Sequence, residues 1–215
     1  MVDRPYPLTL KGDLSSPPGP GWWLLKWLMS IPHLFVLVFL WLGFIFAWIL
    51  AFFNILFTGR YPESLFNYNV GVLRWSWRVG YYGYMALGTD KYPPFTLESV
   101  PGYPADLSVD YPEKLSSGLV LVKWWLLAIP HYIIVAFLVG GWTRSVEEGN
   151  IEVTNGGPGL IFVLAIFAGV VLLFTGKYRQ DFFKLIMGFN RWVFRVAIYT
   201  SLMTDKYPPF RLDGD

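Results

Sequence analysis

The heptapeptide Thr89-Asp90-Lys91-Tyr92-Pro93-Pro94-Phe95 returns unaltered as Thr204-Asp205-Lys206-Tyr207-Pro208-Pro209-Phe210, and the landmarks that precede it return as well. Ile31-Pro32-His33 matches Ile129-Pro130-His131, Leu56-Phe57-Thr58-Gly59-Arg60-Tyr61 matches Leu173-Phe174-Thr175-Gly176-Lys177-Tyr178, and Arg74 and Arg78 match Arg191 and Arg195. A self-similar unit of roughly a hundred residues is too long for a solenoid repeat, so the chain reads as a duplicated module. The division expected is a first repeat over 1–98, a boundary over 99–118 that holds the first strand of the second repeat, and a second repeat over 119–215.

What surrounds these modules follows from their charge. Only 15% of residues are charged and 54% are hydrophobic, against about 25% charged in a typical soluble domain. No Asp, Glu, Lys or Arg occurs from Trp27 to Gly59, from Trp124 to Thr143 or from Val153 to Gly176. The last two runs each suit one membrane span, for which about 20 apolar residues suffice. The first, extended from Trp22 to Phe57, would make a helix of about 54 Å against about 30 Å of hydrocarbon, so it is expected to fold back near Gly43. Spans are thus predicted at 22–41, 43–58, 119–141 and 159–175. The Pro- and Gly-rich stretch before the first apolar run, and the lack of a small-residue cleavage site, argue against a secretory signal. The absence of cysteine removes disulfides, thiolate metal ligands and cysteine nucleophiles.

After each expected span pair, residues 65–87 and 182–203 read as amphipathic helices. Leu73, Trp77, Gly80 and Tyr84 can share one face, with Arg74 and Arg78 one turn apart on another. Such a helix suits the membrane interface, arginines toward headgroup phosphates; the rival, a third span per repeat, puts two arginines into hydrocarbon at high cost. Basic residues cluster after the spans, whereas Glu147, Glu148 and Glu152 outweigh Arg144 in the Gly140–Gly159 loop. The positive-inside rule therefore places both termini and the interfacial helices in the cytoplasm of a multi-pass inner-membrane protein, with the acidic loop outside. Two spans per repeat give both repeats one orientation. Short runs at Leu8–Leu10, Phe95–Leu97, Leu107–Tyr111 and Phe210–Leu212 predict a small cytoplasmic sheet, and Ser15–Gly21 an irregular connector. The fold class expected is an all-α membrane protein: four transmembrane helices in two parallel repeats of a helical hairpin plus an amphipathic interfacial helix, with a small cytoplasmic β element.

His33 and His131 are the only histidines and follow prolines at matching depths in their spans. An intramembrane ionisable residue is a functional candidate by default, so the pair either satisfies a proline kink or handles a proton or ligand. Two such ligands without carboxylate or thiolate are too few for a metal. Lys26 and Lys123, flanked by tryptophans, read as snorkelling side chains. Arg60, Arg74, Arg78, Lys177, Arg191 and Arg195 are expected to contact anionic lipid headgroups, with Asp90 and Asp205 pairing structurally with these arginines. There is no Walker loop, dinucleotide fingerprint, zinc spacing or nucleophile elbow, so no cofactor, catalytic residue or nucleic-acid partner is expected.

Leu127-Ala128-Ile129-Pro130-His131-Tyr132, Leu56 to Pro62, Asn69-Val70-Gly71-Val72-Leu73-Arg74-Trp75, Asp110-Tyr111-Pro112-Glu113 and the two Tyr-Pro-Pro-Phe strings together resemble the bacterial family known as domain of unknown function 4389. The resemblance implies an integral membrane protein and brings no activity, cofactor or substrate. The halves depart from one another: Lys11-Gly12-Asp13-Leu14 stands where the second has Asp110-Tyr111-Pro112-Glu113, and Leu185-Ile186-Met187-Gly188-Phe189-Asn190-Arg191 is a weaker form of the Asn69–Trp75 pattern. The reading that follows is a non-enzymatic membrane scaffold or accessory subunit that packs against a membrane protein, a second copy of itself, or lipid. The alternatives are a small transporter or channel lined by His33 and His131, and an enzyme acting on a membrane lipid.

Overall fold

The first and last apolar runs end on a built-in helix stop. Thr58 and Thr175 turn their hydroxyls back onto the carbonyls of Asn54 and Val171, both at 2.7 Å. Gly59 and Gly176 then adopt left-handed backbone, φ +68° and +65°, and send their N–H groups to Ile55 and Leu172 at 2.8 Å. Glycine pays no Cβ penalty there, which is why Thr-Gly closes the helix in both halves. The computed structural model describes residues 6–14, 18–147 and 150–213, with side chains described outside 141–156. Strand β1 is Leu8–Gly12, helix α1 Lys26–Thr58, α2 Glu63–Tyr82 and β2 Ala105–Val109. A π-helical turn, Lys123–Leu127, leads into α3, Ile129–Val139; β3, Gly140–Glu147, and β4, Asn150–Pro158, form a hairpin; α4, Leu160–Thr175, and α5, Gln180–Thr200, complete the chain.

The first apolar run does not fold back. Residues 26–58 form one helix of 33 residues through Pro32 and Gly43, in place of the two spans expected at 22–41 and 43–58. Gly43 is a packing glycine: a Cβ there would collide with the Tyr68 hydroxyl, which reaches across from α2 to donate to the Leu40 carbonyl at 2.9 Å. Of the described helices, α1 alone is long and apolar enough to cross a membrane; α3 and α4 are shorter apolar helices. Together with the π turn, α3 and α4 correspond to α1 cut in two, with β3 and β4 inserted between Gly140 and Gly159. The acidic face expected of Arg144, Glu147, Glu148 and Glu152 lies outside the described side chains, and Ser15, Ser16 and Pro17 lie outside the described residues.

The π turn explains a spacing mismatch. One more residue separates Lys123 from His131 than Lys26 from His33. A single wide turn absorbs one extra residue without shifting what lies on either side, so both pairs keep their places.

β1 and β2 pair antiparallel with Leu10 opposite Leu107. One strand precedes each repeat, so this ribbon joins the halves about a pseudo-two-fold axis. Phe95–Leu97 and Phe210–Leu212, expected as strands, are irregular: their neighbouring carbonyls are taken by arginines, as described below. The core lies between ribbon, α2 and α5, where Leu8, Leu10, Leu107, Trp77, Tyr81, Phe183 and Phe194 are buried. Trp77 packs edge-on against Phe194 across the two halves, and its indole N–H donates to the Lys11 carbonyl at 2.8 Å.

α1 is buried along one narrow stripe, Lys26, Ser30, His33, Leu37, Phe44, Ala47, Ala51 and Ile55, stepping by three, four or seven residues as a helix face requires; Phe44, Ala51 and Ile55 reach this core. The rest of its circumference is apolar and exposed, including Phe35, Phe39, Phe46, Phe53 and Phe57; Ile133, Phe137, Phe167 and Phe174 continue this surface from α3 and α4.

Candidate functional site

The repeated Thr-Asp-Lys-Tyr-Pro-Pro-Phe string builds a clasp over the start of α1 and over the π turn before α3. Lys26 is fully buried; its ammonium donates to the Thr89 carbonyl at 2.7 Å and pairs with Asp90 at 2.9 Å. Lys123 is also fully buried and meets the Thr204 carbonyl at 3.1 Å and Asp205 at 2.7 Å. The second oxygens of Asp90 and Asp205 accept the backbone N–H of Gly19 and Ser116, each at 2.6 Å. Thr89 and Thr204 accept from the N–H of Lys91 and Lys206, each at 3.1 Å, which closes the turn. The aspartates thus do pair structurally, but with lysines rather than arginines, and the lysines are internal rather than snorkelling. The signal was present in the sequence, since Lys and Asp recur together in both halves.

The Tyr and Phe of the same string enclose the histidines. His33 stacks on Phe95 with ring centroids 3.9 Å apart and lies 4.8 Å from Tyr92; His131 stacks on Phe210 at 4.4 Å and lies 4.9 Å from Tyr207. The indole N–H groups of Trp75 and Trp192 donate to Nδ1 of His33 and His131, each at 3.1 Å. With Nδ1 accepting, the neutral ring carries its proton on Nε2; that of His33 has no hydrogen-bond partner among the described residues. Each imidazole is held by its own repeat. No group of three or more potential metal ligands occurs among the described residues.

The expected headgroup arginines divide into two sets. Arg78 is fully buried and donates to the carbonyls of Thr96, at 3.4 Å, and Glu98. Burial lowers its pKa from the ordinary value, and the charge of Asp106 opposes that shift. Tyr103 is pushed up from the ordinary phenol value by burial, against the pull of Arg78. Arg195, 2% exposed, repeats the arrangement by donating to Arg211 at 2.9 Å and Asp213 at 2.6 Å. Arg74 meets Leu107 at 2.7 Å, Leu97 at 2.8 Å and Asp106 at 3.2 Å. These three arginines carry the extended segment after α2 or α5 and face protein. Gly71 and Gly188 let those segments close in, since a Cβ there would meet Leu97 at 2.8 Å and Leu212 at 3.0 Å. Arg60 and Lys177 remain exposed, directly after the Thr-Gly stops. Arg191 is half-buried and lines a cavity of about 370 Å³ between β1 and α5.

Comparison with known proteins adds a family and no activity. The model of the domain of unknown function 4389 matches residues 22–96 and 158–211. The second match resumes where the inserted hairpin ends, at Pro158. No curated protein and no solved structure matches the chain. Two matches of one family model, together covering more than half of the chain and falling one in each half, make this protein a duplicated member of the domain of unknown function 4389 family.

Proposed function

We propose that the protein is a non-enzymatic scaffold seated in one leaflet of the inner membrane, with α1, α3 and α4 as its apolar floor and the ribbon, α2 and α5 as a polar layer facing the cytoplasm. One observation carries this reading: both ends of α1 are tied to the same polar connector. Lys26 at its start meets Thr89 and Asp90, while Gly59 at its end accepts the Leu115 N–H at 2.8 Å and Ile55 accepts the Ser117 hydroxyl at 2.9 Å. Between those anchors the connector exposes Lys91, Asp110, Glu113 and Lys114. If α1 crossed the bilayer, these charges would cross beside it, and charged side chains in hydrocarbon are costly. A multi-pass arrangement meets the same objection. An in-plane floor instead buries Phe57 and Phe174, 81% and 82% exposed, among acyl chains, and leaves Arg60 and Lys177 at headgroup level, where each basic residue is worth about 1 kcal/mol against an anionic leaflet.

A shared histidine pathway has less support, because His33 and His131 are each enclosed by rings of their own half. The scaffold's partner, on this reading, is a membrane protein or a second copy meeting the apolar floor from the side.

Single cysteines in place of Lys91 and Lys114, in a chain that otherwise has none, test the seat. Both should react with an impermeant thiol reagent from the cytoplasmic side in inverted membrane vesicles, and neither in sealed cells. Reaction of the two positions from opposite sides would sink the in-plane seat.

A further inference from the structure

The two halves serve as controls for one another, and they differ at Arg191. Its counterpart Arg74 is neutralised by Asp106 and by two carbonyls. Through the ribbon, where Leu10 faces Leu107, the position equivalent to Asp106 is Thr9. Arg191 makes no hydrogen bond or ion pair with any described residue. Its neighbours have become more positive as well. Gln180, Lys184, Met187 and Arg191 form one stripe of α5 along the cavity, at the spacing of a single helix face. The matching stripe of α2 is Glu63, Asn67, Val70 and Arg74, so an acid has become an amide and an amide a lysine. Gln180 is also the first residue of α5; Asp181 beside it, in the first turn, is 83% exposed and lies 3.9 Å from Arg179. Asp13 on the opposite wall leaves two cations against one carboxylate.

We propose that this cleft binds a phosphate group, with Arg191 as the inner anchor and Lys184 at the mouth. Arginine without a carboxylate partner presents a planar fork of donors suited to phosphate oxygens. A cavity of about 370 Å³ is in the range of small-ligand sites. The shared chemistry is a phosphate ester, carried either on a lipid headgroup at the rim of the floor or on a soluble molecule. The inference goes beyond the seat, which concerns the exposed apolar side chains of α1, α3 and α4 and none of the residues that line this cleft.

The test uses the full chain in zwitterionic nanodiscs. Inorganic phosphate is titrated by calorimetry, and in parallel the protein is floated with vesicles of phosphatidylcholine alone or with added phosphatidylglycerol. Arg191→Gln should lower anion binding by about tenfold or more. Thr9→Asp should do the same by giving Arg191 the partner that Arg74 already has, at an exposed position where folding is little disturbed, as a melting curve checks. Glu63→Gln, in the first half, should leave binding unchanged. Phosphate binding lost in both variants supports a soluble ligand; loss confined to the phosphatidylglycerol vesicles supports a headgroup. No binding of either probe, or binding indifferent to both Arg191→Gln and Thr9→Asp, overturns the site. Attachment to phosphatidylcholine vesicles reports the seat separately, so the two readings fail independently.

Discussion

Lys26 and Asp90 are bonded to each other but unequally placed: the lysine side chain is 1% exposed and the aspartate 34%. Removing the aspartate strands a buried ammonium with one carbonyl, whereas removing the lysine leaves a carboxylate near water that still accepts the Gly19 N–H. Breaking a buried pair costs most when the charge left behind is the buried one. Asp90→Ala should therefore destabilise by about 3 kcal/mol or more and Lys26→Met by about 1 kcal/mol, with the double variant closer to the lysine variant than to the aspartate one. Denaturant titration in detergent measures this; equal costs for the two single changes would show that the clasp is solvated. Other residues bear a similar load. Leu87 and Leu202, at matching positions and fully buried, hold φ of +50° and +68°, a conformation that costs a non-glycine residue of order 1–3 kcal/mol and that the clasp after them holds in place.

At the scale of elements, the repeat, the helix ends at Thr58 and Thr175 and the two amphipathic helices could be read directly, because each rests on a local signal: an identical string, the end of an apolar run, a stripe at helical spacing. The continuity of α1 could not. Its length exceeds a bilayer, and Gly43 is the only glycine at which to bend it, but a glycine in a helix also marks close approach, here by Tyr68. Arg74, Arg78 and Arg195 lie on the expected helices but donate to carbonyls that arrive from segments about twenty residues onward, which no local pattern announces. The 19 extra residues of the second half were visible, though not their position inside a helix. Excising 141–159 should join α3 to α4 as one helix with the phase of α1, because His131 then stands as far from Thr175 as His33 from Thr58. Circular dichroism should find helix content undiminished and β signal reduced; loss of cooperative unfolding would mean that the hairpin holds the halves of that helix in line.

The whole molecule is cross-tied. β1 of the first half closes only on β2. The Tyr6 hydroxyl donates to Arg195 at 3.1 Å, Tyr178 to Ala86 at 2.7 Å and the Trp48 indole to Thr200 at 3.2 Å. Residues 1–98 or 99–215 produced alone should stay unfolded or aggregate, while the two produced together should co-purify with a near-ultraviolet spectrum like that of the intact chain; cooperative unfolding of 1–98 alone would contradict this. The same tie sets a timetable during translation. At about 5–20 residues per second, β1 leaves the ribosome roughly 5–20 s before β2 exists, and α1 follows it with most of its surface apolar. For that interval the growing chain carries a strand without a partner beside a helix whose apolar surface is uncovered, and Val109 marks the point in synthesis at which the full register of the ribbon first exists.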